Sequence, residues 1–372
     1  MIKKILLFFP AAGALLLLLP AGADRFFNNG FSEAYFFLLP FLLAVFFTPF
    51  AARWGLKLKI LDIPDARKIH LNPVPRTGGT VLFFAFLIAA GKIFYFPKEI
   101  LGLLAGLIVV FLAEFLDDIK SNSAFLRLGA QAAAAVILIT AGVYIRILPE
   151  FTGHIYIEYL LTVVWVTGII NAVNFLDGVD GLAAGLGIIS GLSLFAIVYL
   201  TGQKELSLLL LAFTGALTGF IIFNFKPAKI FLGDSGASLI GFLLAGFSLI
   251  GIWGRPNSLP KQAIPLLVLA IPIFDMLYTT ISRIKNGSVT TLKEWIEYTG
   301  RDHFHHRLMN IGIPDVATVL FLYGLNLIMG FLALALTCLQ GKAALLPIIL
   351  ALLIFTAIVV YMRGKARKLA GK

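Results

Sequence analysis

Residues 171–185, Asn171 to Gly185, read NAVNFLDGVDGLAAG, and they separate the apolar run LLTVVWVTGII from the apolar run LGIISGLSLFAIVYL. Two carboxamides and two carboxylates therefore interrupt sequence that otherwise suits hydrocarbon. An ionisable side chain inside a bilayer costs about 2.5–3.5 kcal/mol on insertion scales, so acids at this place indicate a surface that meets water or a metal. Asp177 and Asp180 each precede a glycine, which allows a tight turn and close approach of the backbone to a ligand. Asn174, Asp177 and Asp180 recur at three-residue spacing, and on a helical turn they line one face with the hard oxygen ligands that Mg²⁺ takes. An Asx-rich turn between two helices is the plainer alternative. The stretch reads as a cation and phosphate site at the cytoplasmic mouth of a helix bundle.

The surrounding chain fits that placement. Of 372 residues, 60% are hydrophobic and 13% charged, with a mean hydropathy of +0.97, well above the roughly 45–50% apolar content of a soluble domain. Continuous apolar runs of about 20 residues cross a bilayer as helices, whereas a membrane barrel needs short alternating segments. The fold class expected is all-α, a polytopic transmembrane bundle of 11–12 spans with catalytic loops on the cytoplasmic side. The spans expected are 5–22, 34–52, 78–96, 100–116, 126–146, 157–173, 183–201, 206–223, 236–253, 263–282, 316–337 and 343–362. No separate soluble domain or internal repeat is visible, so residues 1–372 read as one integral membrane domain, with catalytic loops and core helices in 53–315. Residues 1–23 fit either a first span or a signal-like segment, since MIKK precedes an apolar run that ends at AGA, Ala21 to Ala23. Cys338 is the single cysteine, which excludes an internal disulfide and a thiolate metal site.

The net charge of +11 is explained by orientation, not by nucleic acid. With the termini and loops 53–77, 117–125, 174–182, 224–235 and 283–315 on the cytoplasmic side, 21 of the 30 Lys and Arg face inward, as the positive-inside rule requires. Four of the five histidines and most aspartates lie in the same loops, while the outer loops are short and chemically plain. That asymmetry argues for one site at the inner surface of a plasma (inner) membrane.

Four further segments carry candidate chemistry. In LDIPDARKIHLNPVPRTGG, Arg67, Lys68, His70 and Arg76 suit phosphate oxygens; an ordinary basic loop touching anionic headgroups is the plainer reading from composition. Gly78 and Gly79 give a flexible entry to the next span. In AEFLDDIKSNSAFLRLGAQ, Asp117 and Asp118 end a span and Glu114 lies one turn earlier. Crowded carboxylates raise a pKa unless a cation is bound, so they suit a metal ligand or general base. In NFKPAKIFLGDSGASLIG, Asp234 lies between glycines at the start of a helix, where backbone N–H groups suit phosphate and the acid suits its metal. The GDSG run resembles a serine protease signature, but a soluble barrel and disulfide context are absent. In RDHFHHRL, His303, His305 and His306 are too closely spaced for all three to face one zinc from a regular helix, which favours a nucleotide or sugar-phosphate clamp with Arg307. The preceding SVTTLKEWIEYTG reads as an amphipathic surface helix or a connector, with Leu292, Trp295 and Ile296 on one side. Asp275, within the span 263–282, either binds a ligand or pairs inside the bundle, and Pro272 loosens the helix nearby.

Together these residues resemble the polyprenyl-phosphate N-acetylhexosamine-1-phosphate transferases, glycosyltransferase family 4. The matching features are DxPxxRKxHxxPxPRxGG, the DD pair, NxxNxxDGxDGLA, NxxPAKIFLGDSG, PIFD and HxHHRL, in family order over Asp62 to Leu308, two thirds of the chain. The peptidoglycan translocase of this family usually has three consecutive histidines. Here Phe304 separates His303 from His305, which is similar to the branch using UDP-N-acetylglucosamine and places a muramoyl-pentapeptide substrate second.

The resemblance implies transfer of N-acetylhexosamine 1-phosphate from a UDP-N-acetylhexosamine to undecaprenyl phosphate, with release of UMP, as a first membrane step of cell-envelope glycan synthesis. It implies Mg²⁺, replaceable by Mn²⁺, held by Asn174 and Asp234 and approached by Asp177. Asp117, Asp118, Asp177 and Asp180 are then catalytic candidates, with direct attack and a two-step route through an Asp nucleophile both open. Arg67, Lys68, His70, Arg76, Lys120, Arg127, Asn171, Lys226, Asp275, His303, His305, His306 and Arg307 are substrate-binding candidates. Whether the chain acts as a homodimer is open in the sequence. An ion-coupled transporter is the rival of another class, but its acids belong near the midplane between inverted repeats, and here they gather on one face.

Overall fold

A computed structural model describes residues 2–63, 72–93, 95–120, 123–148, 153–253, 259–291, 293–294, 298 and 300–370. The chain forms two compact units, Met1–Gly251 and Ile252–Lys372.

The first unit runs α1 (Ile2–Leu18), α2 (Pro20–Asn28), α3 (Ser32–Leu58), β1 (Leu61–Asp62), β2 (Val74–Pro75), α4 (Gly78–Ala90), α5 (Lys98–Ile119), α6 (Ala124–Thr140), α7 (His154–Leu176), α8 (Leu182–Leu200), α9 (Lys204–Asn224) and α10 (Gly233–Ile250). The second runs α11 (Leu259–Gln262), α12 (Ile264–Val268), α13 (Ala270–Lys285), α14 (Phe304–Asn310), α15 (Asp315–Cys338), a 3₁₀ turn (Gly341–Leu345) and α16 (Leu346–Ala370). Strands β1 and β2 pair antiparallel, with Leu61 opposite Pro75 and Asp62 opposite Val74.

Eight helices among the described residues are long and apolar enough to span a bilayer, and α1 with α2 forms a further, bent candidate, kinked by 76°. The polytopic all-helical architecture expected from the apolar runs is therefore present. Each expected span meets a helix, but four are shorter or broken, 5–22 among them at the α1–α2 kink. Helices α4 and α6 stop at Ala90 and Thr140, and the run 263–282 divides into α12 and α13 at Leu269. Pro272 explains the division, because it has no N–H for the Val268 carbonyl and crowds the residues before it. At the α1–α2 kink, Pro20 opens α2, and a Cβ on Gly22 would lie 1.8 Å from the Leu16 carbonyl oxygen. The Tyr35 hydroxyl donates to the Leu17 carbonyl at 3.0 Å, satisfying an acceptor beside the kink.

Helix α10 is the centre of the first unit. Nearly all its residues are buried, and it packs on α4, α5, α7 and α8. Helices α3 and α9 approach closely because Gly215 and Gly219 face the Phe37 and Phe41 carbonyls, where a Cβ would lie at 2.2 and 2.4 Å. Small residues serve the same purpose in membrane bundles generally, where close backbone packing substitutes for a hydrophobic driving force. Along α5, Leu103, Leu107, Val110 and Glu114 are buried while Leu101, Ile108, Leu112 and Leu116 are exposed. One helix thus presents a packed stripe to α10 and an apolar stripe suited to lipid.

Candidate active site

Helix α5 ends in the acid pair, and successive side chains on a helix point about 100° apart, so the two acids face different neighbours. Asp118 turns to the start of α10. Its Oδ1 accepts from the Asp234 N–H at 2.9 Å, and its Oδ2 accepts from the Ser235 N–H at 3.0 Å and hydroxyl at 2.6 Å. A carboxylate from a neighbouring helix thus caps first-turn N–H groups that have no intrahelical acceptor. Gly233, with φ of +73°, permits this, since a Cβ there would meet the Arg76 carbonyl at 2.5 Å and the Asp118 carboxylate at 2.6 Å.

The segment before α10 is zipped to the segment before α4. The Phe231 N–H donates to the Pro75 carbonyl at 2.8 Å, Gly78 to Phe231 at 3.0 Å and Gly79 to Leu232 at 2.8 Å. A Cβ on Gly79 would lie 2.4 Å from the Ser235 hydroxyl and 2.5 Å from the Gly236 nitrogen. Gly78 and Gly79 are therefore sites of close packing; both are buried, contrary to a role as a flexible entry. This zipper delivers Arg76 to Asp234, with Nη2 at 2.5 Å from Asp234 Oδ2 and 3.3 Å from Asp118 Oδ1.

Arg127, near the start of α6, reaches the other side of Asp234. Its Nε lies 2.8 Å from Glu114 Oε2, Nη1 lies 3.4 Å from Asp117 Oδ2, and Nη2 lies 3.4 Å from Asp234 Oδ1. Burial opposes the charge of Arg76, but the carboxylates of Asp234, Asp118 and Asp62 outweigh it and raise its pKa. Burial, then the charge of Asp234, pushes the Asp177 carboxyl well above the usual carboxylate range; Asp118 and Asp180 add to the shift and Arg76 opposes it.

Helix α7 supplies the remaining polar groups. Asn171 Nδ2 donates to Gln131 Oε1 at 2.7 Å, and Asn174 Nδ2 lies 3.5 Å from the Ser238 hydroxyl on α10. Asp180 Oδ2 accepts from the Ala228 N–H at 3.0 Å, which fixes the loop carrying Lys226. Lys226 and Lys120 both lie at the surface. Arg67, Lys68 and His70 lie outside the described residues, as do Leu292, Trp295 and Ile296.

Asp117, Asp118, Asp177 and Asp234 thus gather from two helices and one helix-terminal turn, with Glu114 behind them, against Arg76 and Arg127. No group of three or more His, Cys, Asp or Glu residues among the described ones is arranged to hold a metal by itself. The donor set still suits Mg²⁺. That ion is bound through one or two carboxylates together with water and substrate phosphates, and carboxyl groups here outnumber guanidinium groups.

In the second unit, the fully buried Asp275 organises the histidine segment. Its Oδ2 lies 2.9 Å from His303 Nδ1, and its Oδ1 accepts from the Phe304 N–H at 2.5 Å. His303 Nε2 lies 3.3 Å from Arg283 Nη2, and Arg283 also grips Asp302 through two hydrogen bonds of 2.7 and 2.8 Å. Of the two readings of Asp275, pairing inside the bundle is the one this geometry displays. His305 is buried, and neither ring nitrogen has a hydrogen-bond partner among the described residues. Burial, followed by the neighbouring His306 and His303, lowers its pKa well below the ordinary imidazole value. His306 is half-buried. Arg307 donates to the Asp302 carbonyl at 2.5 Å and to the Ser282 hydroxyl at 3.0 Å, and stands over the Tyr278 ring.

Sequence reading did not single out Gln131 or Ser238, and gave Arg283 no role. For Gln131 a signal existed, its spacing of four residues from Arg127 on one helix; the others are recognisable only once helices are packed.

Residues 100–252 match glycosyl transferase family 4. The chain is 34% identical over 337 residues to a probable undecaprenyl-phosphate N-acetylglucosaminyl 1-phosphate transferase of Bacillus subtilis (strain 168), covering 88% of this chain and 91% of that protein. It is 30% identical over 302 residues to the decaprenyl-phosphate N-acetylglucosaminephosphotransferase of Mycobacterium leprae (strain TN), covering 72% and 74%. It is 29% identical over 289 residues to the undecaprenyl-phosphate alpha-N-acetylglucosaminyl 1-phosphate transferase of Escherichia coli (strain K12), covering 74% and 76%.

Proposed function

The chain belongs to glycosyl transferase family 4, in the branch of the polyprenyl-phosphate N-acetylglucosamine-1-phosphate transferases, and from that premise we propose that it transfers N-acetylglucosamine 1-phosphate from UDP-N-acetylglucosamine to undecaprenyl phosphate and releases UMP. It is a membrane phosphotransferase that acts on a polyprenyl phosphate. One observation supports the finer reading above others. Asp234, at the first turn of a buried central helix, is flanked by two arginines, and Asp117, Asp118 and Asp177 surround them.

In the reaction, an oxygen of the lipid phosphate attacks the sugar-bearing phosphorus of the UDP-sugar. The bond from that phosphorus to the bridging oxygen breaks, and the oxygen leaves with UMP. Both reactants are anions, so catalysis rests on placing them and offsetting charge. Arg76 and Arg127 exchange carboxylate oxygens for phosphate oxygens, and Arg does this with defined geometry. Asp117 takes the proton of the lipid phosphate. Asp118 is committed to capping α10 and acts by holding Asp234 in place. Mg²⁺, held by Asp234 with Asn174 and Asp177, would polarise the diphosphate and stabilise developing charge on the leaving oxygen. The positive-inside asymmetry favours a site on the cytoplasmic face of the plasma membrane.

The test is purified protein with undecaprenyl phosphate, Mg²⁺ and a panel of UDP-sugars, with UMP release as the signal. UDP-N-acetylglucosamine is expected to be turned over fastest. Equal or better turnover of UDP-muramoyl-pentapeptide would overturn the sugar assignment, and metal-independent turnover would overturn the Mg²⁺ assignment.

A further inference from the structure

Gln131 is a lone carboxamide in the apolar helix α6, 1% exposed, four residues after Arg127 and so one turn further along the same face. Its Nε2 donates to Glu114 Oε1 at 2.8 Å, and its Oε1 accepts from Asn171 Nδ2 at 2.7 Å. Asn171 Nδ2 also donates to the Thr167 carbonyl one turn earlier, at 2.8 Å. Only one orientation of the Gln131 amide serves these partners, because a carboxylate accepts only and the Asn171 amino group donates only. The remaining Glu114 oxygen meets Arg127 Nε at 2.8 Å.

We propose that Asn171, Gln131 and Glu114 form a relay across three helices that sets the direction of the Arg127 guanidinium, and that Gln131 is a positioning residue for phosphoryl transfer. The proposal rests on the reading of Arg127 as a phosphate holder. The distances distinguish one end of the guanidinium from the other. Its Nε stands 2.8 Å from a buried acid, an ion pair out of line for a hydrogen bond, while Nη1 and Nη2 donate long hydrogen bonds of 3.4 Å to Asp117 and Asp234. The short ion pair holds the inner edge of the guanidinium beside Glu114, and the two long contacts are the ones an incoming phosphate can replace. The Arg127 side chain remains 24% accessible, so an anion can reach that edge. Stability alone gives no reason for the relay, since a buried ion pair with its polar supports is often replaceable by apolar residues without loss.

The experiment measures steady-state UMP release by the full-length protein carrying Gln131→Leu, Asn171→Ala, Arg127→Lys and the double variant Gln131→Leu with Arg127→Lys. A misdirected guanidinium weakens an interaction made in the transition state. Gln131→Leu is therefore expected to lower kcat about 10- to 100-fold with KM little changed. If Gln131 acts through Arg127, the double variant will match Arg127→Lys alone, whereas a general packing defect would multiply the two losses. Multiplied losses, or wild-type kcat in Gln131→Leu, overturn the relay. Should Gln131→Leu fail to fold, Asn171→Ala probes the far end, and an unchanged kcat there has the same meaning. A wild-type protein that turns over no UDP-sugar removes the transferase reading and the relay with it; an active wild type with an indifferent Gln131 removes the relay alone.

Discussion

Asp118 Oδ2 accepts both the backbone N–H and the hydroxyl of Ser235, at 3.0 and 2.6 Å, so the last turn of α5 closes the first turn of α10. Its sequence neighbour Asp117 instead faces Arg127. The two acids should therefore separate in mutagenesis. Asp118→Ala is expected to cost about 1–2 kcal/mol of stability, the scale of a lost helix cap, and to lose activity by releasing Asp234. Asp117→Ala should lose activity with a much smaller change in melting temperature. Thermal melts and UMP release on both variants check this, and equal melting losses would contradict it.

Asp234 receives a guanidinium on each carboxylate oxygen. Asp234→Asn keeps the shape and removes the charge that holds both arginines. UMP release should fall by about 10²- to 10³-fold, the scale of removing one preorganised electrostatic group, while the protein remains monodisperse in detergent. Retained turnover would remove Asp234 from the site.

Gly79→Ala would force a Cβ against the Ser235 hydroxyl and the Gly236 backbone. Backbone cannot rotate aside, so a loss of about 1–3 kcal/mol is expected, the range for overpacking. Gly129, in α6, has nothing within 4 Å of the same added atom. There alanine should be neutral or stabilising by up to about 1 kcal/mol, because helical glycine is disfavoured. Melting temperatures of the pair test the close crossing of α4 and α10.

His305 is buried, and its pKa is held well below the ordinary imidazole value by burial, with His306 and His303 adding. An unfolded chain takes up this proton near pH 6.5, and the folded chain does so only at much lower pH. Below about pH 6.5 the unfolded state therefore binds more protons, and stability falls as pH falls. The wild type should lose melting temperature between pH 7 and pH 5, and His305→Leu should flatten that slope. The half-buried His306, shifted the same way, leaves a smaller residual dependence. A slope unchanged by His305→Leu would contradict the assignment.

The helical architecture was legible because bilayer thickness imposes a length on each apolar run, and every run met a helix. The acids were legible because charge is costly at that depth. Their division of labour was not. Glu114 lies one turn before the acid pair, yet it meets Arg127 and Gln131 on α6 while Asp118 meets α10. Spacing along one helix does not say which neighbour each side chain will find. Gly78 and Gly79 read as flexible, whereas their purpose depends on Phe231, Leu232 and Ser235, more than 150 residues away. Asp275 left two readings open for the same reason, since its partners His303 and Phe304 come from another segment.

Because Arg76 and Arg127 both lean on Asp234, the resting pocket holds its own counterions. A bare anion that draws the arginines away strands a carboxylate, whereas an anion escorted by a divalent ion swaps partners and leaves no charge orphaned. On the proposed metal-assisted reading, sulfate and free phosphate are therefore expected to compete poorly with the UDP-sugar. The same pairing also suggests that inhibitors carrying a cationic group beside their diphosphate mimic will outcompete purely acidic ones.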